Sequence, residues 1–116
     1  MEWINSLGNM DNTIYGICIM NSYLTLYIKM WDESIKKIKF SNYYAVKEKN
    51  SIGREIGDII IKTSSELIEE LNIDFAHSNN IINESETTNI KSIVFYDSWN
   101  EATILEIVAE NVEFEQ

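Results

Sequence analysis

The side chains best able to do chemistry are scarce in this chain. His77 is the only histidine and Cys18 the only cysteine in 116 residues. A metal centre on His77 would need carboxylates for its remaining ligands, and Asp74 is the one acid close before it, so an exposed loop histidine is the expected reading. Cys18 lies inside the apolar run Ile14–Met20, where a thiol packs as a small hydrophobe, and no spacing signals a dyad with His77. No glycine-rich phosphate loop, nucleophile elbow or Asp-rich calcium loop is present. Glu66, Glu69 and Glu70 read as the wet face of a short helix. Glu106 and Glu110 share a parity on the last strand. They could flank a substrate as a glycosidase-like pair, but normal alternation makes them the solvent side. The expectation is a non-enzymatic protein with no cofactor and no metal.

Two aromatic–acidic clusters are more suggestive. Trp31-Asp32-Glu33 and Asp97-Ser98-Trp99-Asn100-Glu101 each set a tryptophan beside carboxylates at a predicted strand end. Exposed aromatics with acidic neighbours anchor a partner bearing Arg or Lys through cation–π and charge-assisted contacts. The competing reading has both tryptophans folded back over the ends of the domain as core plugs, since a large aromatic is usually mostly buried. In Tyr43-Tyr44 one ring goes to each face, which leaves Tyr43 as a further exposed candidate. The candidate partner-binding residues are therefore Trp31, Asp32, Glu33, Tyr43, Asp97, Trp99, Asn100 and Glu101.

Charge is unevenly spread. Seven of the nine basic residues lie between Lys29 and Arg54, and fourteen of the nineteen acidic residues lie from Glu55 onward, in a chain of net charge −10. An acidic surface disfavours nucleic acid and anionic membrane as partners, because phosphate binding draws on basic surface, and favours a basic protein. The lysines alternate with apolar residues, as on the solvated face of a strand. A single cysteine excludes an intramolecular disulfide and suits a reducing compartment. The N-terminus lacks the basic start and apolar run of a signal peptide, and Ile14–Met20 is too short to span a bilayer. A cytoplasmic protein is expected. The abundance of Ile, Asn, Lys and Glu matches the usage of AT-rich bacterial genomes.

These residues must be positioned by strands. In Tyr23–Trp31 the even positions Leu24, Leu26, Ile28 and Met30 are aliphatic, while Tyr23, Thr25, Tyr27, Lys29 and Trp31 form an amphipathic face. Ile35–Lys47 repeats the pattern, with Ile38, Phe40, Tyr44 and Val46 inward, and Trp31–Ser34 is the turn of a hairpin. Ile14–Met20 is apolar on both faces and reads as a central or doubly covered strand; Gly57–Thr63, Ile90–Tyr96 and Ala102–Glu115 are further strands. In the last, Leu105, Ile107 and Ala109 take one parity and Val112 and Phe114 the other, which places a bulge or bend at Glu110-Asn111. Thr63-Ser64-Ser65-Glu66 has capping-box spacing ahead of a short helix over 64–72, and Ser78–Asn89 reads as a long polar loop. At 116 residues with 45% hydrophobic content, residues 1–116 form one domain. The fold class is mainly β: an antiparallel β-sandwich or partly open barrel of about six strands with one short helix.

From Leu26–Asp32 through Ile56-Gly57-Asp58 to Phe95–Asn100 and Leu105–Glu110 the chain resembles small uncharacterised bacterial β-rich proteins, some of them suspected immunity proteins of polymorphic toxin systems. The resemblance covers most of the chain but its motifs are structural, and it supplies no catalytic residue. It implies an intracellular interaction module, in its sharpest form an immunity protein neutralising a basic toxin. The alternatives are a small-molecule or carbohydrate-binding β-barrel, or a weak hydrolase, using Trp31, Trp99 and nearby carboxylates, and a structural subunit that oligomerises through strand edges.

Overall fold

Alternating side chains become strands where the pattern expects them. The computed structural model describes residues 2–63, 65–70 and 90–115. Its strands are β1 (Thr13–Met20), β2 (Tyr23–Lys29), β3 (Ile35–Glu48), β4 (Ile56–Lys62), β5 (Lys91–Asp97) and β6 (Thr103–Glu115). All neighbours pair antiparallel in one sheet of order β1-β2-β3-β6-β5-β4. A 3-10 helix, Glu2–Leu7, precedes β1, and a helical turn at 66–70 follows β4. The mainly β architecture of about six strands with a short helix is thus what the structure shows. The strands make one continuous sheet that is not closed into a barrel. Among the described residues no helix is long and apolar enough to cross a membrane. His77, Asp74 and the polar stretch Ser78–Asn89 lie outside the described residues.

The long strands β3 and β6 form the spine. Ile35–Ser41 of β3 pairs with β2, and Thr103–Ala109 of β6 pairs with β5, so each long strand serves a different half of the sheet. At the junction Asn42 adopts φ 51°, a left-handed conformation that asparagine tolerates better than most residues. Its N–H donates to the Ser22 carbonyl at 3.0 Å. Leu24, Leu26, Ile28, Ile38 and Phe40 of one half then share a single buried cluster with Ile56, Ile93, Phe95, Leu105 and Ile107 of the other. Full burial of each such side chain contributes about 1.5–3 kcal/mol. This common core is why β2 and β3 alternate so cleanly.

The bend also redistributes faces. Ala109 and Val112 both pack on the main cluster, so β6 changes parity between them as its sequence implies. The ladder irregularity itself falls on β3, between Tyr43 and Ala45. Tyr43 consequently packs half-buried against the main cluster and is not the exposed ring expected of it. Tyr44 leaves the face of Ile38 and Phe40 and joins a second cluster with Ile68, Ile90 and Val108 on the opposite side. The helical turn covers that side. Its cap is Ser65 rather than Thr63: the Ser65 hydroxyl accepts the Ile68 N–H at 3.2 Å.

β1 departs most from expectation. It is an edge strand, not a central one, and beyond Ile14 most of its side chains face water, Cys18 included. Its first residues nevertheless reach the far side of the sheet. Thr13 bridges Glu55, Ile14 donates to the Arg54 carbonyl at 3.0 Å, and Gly53 donates to the Ile14 carbonyl at 2.8 Å. The two edges of the open sheet therefore meet at one corner.

Candidate functional site

That corner gathers both tryptophan-bearing turns. In the β2–β3 turn, Met30 donates to the Ser34 carbonyl at 2.7 Å and Glu33 donates to the Met30 carbonyl at 2.9 Å. This is a three-residue hairpin loop, and its last loop residue, Glu33, sits at φ 72°. Asp32 Oδ1 accepts the Ser34 hydroxyl at 2.6 Å and the Ser34 N–H at 3.0 Å. Those two bonds, the hydroxyl first, hold the Asp32 carboxyl below its ordinary range, so it stays charged. Trp31 is 66% exposed.

The β5–β6 turn is built differently. Asp97 donates to the Ala102 carbonyl at 2.8 Å and accepts the Glu101 N–H on its own carbonyl at 3.0 Å. Its carboxylate accepts the Trp99 N–H at 2.7 Å, and the Asn100 side chain accepts the Ala102 N–H at 3.0 Å. Glu101 closes the loop at φ 58°. Trp99 is 85% exposed. Neither tryptophan plugs the core.

The two turns are joined through the segment between them. The buried side chain of Asn12 accepts the Trp31 N–H at 3.1 Å and donates to the Leu7 carbonyl at 2.9 Å, while its backbone carbonyl accepts the Ile56 N–H at 2.8 Å. On the other side Ser98 donates to the Glu55 carbonyl at 3.1 Å, and Arg54 Nη1 lies 3.1 Å from Asp97 Oδ2. Asn12 and Arg54 thus hold the two turns at one corner through the Thr13–Glu55 bridge.

The electrostatics of the corner are acidic. Glu55 is half-buried, and a hydrogen bond with the neighbouring Asp11 carboxyl raises its pKa above the ordinary 4.5, reinforced by burial and by the Asp11 charge. A hydrogen bond from the Trp99 side chain acts the other way. Asp32 and Glu33 on one turn and Glu101 on the other are exposed.

Of the sequence candidates, Trp31, Asp32, Glu33, Trp99, Asn100 and Glu101 come together at this surface. Asp97 belongs to it as a support, its side chain 1% exposed and turned inward. Tyr43 belongs to the β3–β6 bend. Sequence reasoning missed Asp11, Asn12, Arg54 and Glu55. Only Arg54 carried a signal, as the one arginine in a lysine-rich chain, because a planar guanidinium suits a fixed carboxylate better than an ammonium does.

Two further clefts lie among the described residues. Beside the β5–β6 turn, one of about 210 Å³ is lined by Asp58, Ile60, Tyr96 and Glu101 among others, without either exposed tryptophan. This is below the roughly 300–1,000 Å³ of small-molecule sites. A shallower one of about 490 Å³ lies at the bend, beside Trp3, Lys91 and Glu110. Glu106 accepts the Ser92 hydroxyl, and Glu110 accepts the Tyr44 hydroxyl and the Asn42 amide. Four residues apart on a strand, their α-carbons are about 13 Å from each other, and each carboxylate is engaged by its own partners. No family model, curated protein or solved structure matches this chain.

Proposed function

We propose that this protein is a protein-interaction module that docks a basic partner on the corner carrying Trp31 and Trp99, in its sharpest form an immunity protein blocking a basic toxin. One observation carries the reading: two large, mostly exposed aromatics on separate turns are tied to a common segment by hydrogen bonds, with Asp32 and Glu33 beside Trp31 in the chain, Glu101 two residues from Trp99, and Glu55, itself bonded to Asp11, meeting the Trp99 side chain. Leaving two indoles in water forfeits burial energy that a core position would gain. Their rigid rings offer a partner large contact area at little entropic cost, and the acids steer a cationic surface toward them.

The test is binding kinetics against basic toxin domains at two salt concentrations. Reversing Asp32, Glu33 and Glu101 together should lower the on-rate and flatten its salt dependence, whereas Trp99→Ala should act on the off-rate. Both tryptophans are exposed, so Trp31→Ala and Trp99→Ala should shift stability by no more than about 0.5 kcal/mol. Binding that is indifferent to salt and to both tryptophan substitutions would remove the corner as the docking surface.

A further inference from the structure

Among the described residues, β1 is the less guarded of the two edges of the sheet. An edge strand presents unpaired N–H and C=O groups, and proteins usually shield such edges with charge, proline or a covering segment. The opposite edge, β4, has this protection. It carries Asp58 and Lys62, and Asn9 covers its start, with its N–H 3.0 Å from the Gly57 carbonyl and its amide 2.7 Å from Asp58 Oδ1. On β1 the irregularity between Ile14 and Gly16 and the bonds from Ile14 to the corner shield only the beginning. From Ile17 to Met20, no backbone hydrogen bond reaches the outer edge among the described residues. Ile19 is 54% exposed, Met20 49% and Cys18 also open to water.

We infer that this edge pairs antiparallel with β1 of a second copy of the chain, joining two sheets across a two-fold axis. Antiparallel pairing of a strand with itself is two-fold symmetric, so one set of residues serves both sides. Charge selects the occupant. Two chains of net charge −10 repel wherever their acids meet, yet the run from Asn12 to Ile28, the longest of its kind in the chain, contains no charged residue. A second copy brings only uncharged residues to this edge, and a basic partner finds no acid on the strand to pair with. The contact takes the exposed Ile19 of both copies out of water. β1 runs away from the acidic corner, with Met20 about 23 Å along the strand from Thr13, so the two surfaces can be occupied together.

Sedimentation velocity of the full chain from low to high micromolar, at low and high salt, tests this. The expected result is a monomer–dimer equilibrium that tightens as salt screens the repulsion between acidic chains, opposite to the salt response of the corner. Ile19→Lys sets like charges close to the two-fold axis and should weaken the dimer roughly tenfold or more. Because Ile19 is exposed, the variant's monomer should melt as the wild-type monomer does. A bis-maleimide of about 10 Å span should link Cys18 to Cys18 in the wild-type dimer, given the few-residue range of possible registers. A chain that remains monomeric throughout, a dimer that Ile19→Lys leaves intact, or a sedimenting dimer that does not cross-link would each overturn the inference.

Discussion

Replacing Asp97 tests whether the β5–β6 turn is held from within. The carboxylate is almost fully buried and makes two kinds of bond: Oδ1 accepts the Trp99 N–H at 2.7 Å, and Oδ2 meets Arg54 at 3.1 Å. A hydrogen bond to a charged group contributes about 1.5–3 kcal/mol, and a pair with a solvated partner about 0.2–1 kcal/mol. Arg54 is 46% exposed, so its share lies at the low end. Removing a buried carboxylate also relieves part of its desolvation, and Asp97→Ala should therefore cost about 2 kcal/mol net. In a domain of this size that is a fall in melting temperature of roughly 8 °C. Asp97→Asn keeps an acceptor for Trp99 but makes that bond a neutral one and loses the ion pair as well, for about 1 kcal/mol together. Arg54→Ala should cost more than Asp97→Asn although the same pair is lost, because it strands a buried charge. Thermal melts of the three variants give the ordering, and Asp97→Ala should also speed dissociation of any partner gripping Trp99. An Asp97→Ala protein melting within about 2 °C of wild type, or an Arg54→Ala milder than Asp97→Asn, would refute the reasoning.

Gly57→Ala should destabilise by about 1–3 kcal/mol in chemical denaturation, since a β-carbon there would stand 2.9 Å from Ser98 Cα and 3.1 Å from the Asp97 carbonyl oxygen, both backbone. Gly8→Ala should do likewise against the Gly57 carbonyl oxygen at 2.5 Å. Glu55→Gln should raise the melting temperature at neutral pH. The folded state raises the Glu55 pKa, so the associated stability is present below the ordinary 4.5 and is lost as pH rises through the raised value. The amide mimics the protonated acid, and its advantage should vanish in melts below pH 4.5. Glu33→Gly and Glu101→Gly should each stabilise by roughly 0.5 kcal/mol, because the left-handed φ of these turns strains a glutamate more than glycine's entropy costs.

The inward faces of β2 and β3 were legible from residue order because period-two alternation is a property of a single strand. Leu24, Leu26, Ile28, Ile38 and Phe40 needed no knowledge of their neighbours to be placed, and all are buried. The parity change in β6 was readable for the same reason. β1 was misread because apolar residues on both faces say nothing of how many strands pair with it: it lies at the sheet edge, with most of its side chains beyond Ile14 in water. How many strands do so depends on sheet order, and that order follows from pairing β3 with β6 across the whole middle of the chain. The same long-range pairing set Tyr43 half-buried against the core. At the corner, the sequence singled out both tryptophans but could not tell an anchor from a plug, since side-chain type alone sets no exposure. Tertiary contacts decided it: Asn12 reaches Trp31 across 19 residues and Arg54 reaches Asp97 across 43. Local pattern sets which way a side chain points from its own strand. What lies there to receive it is set by chain segments distant in sequence, whose pairing is fixed only when the whole sheet folds over its core.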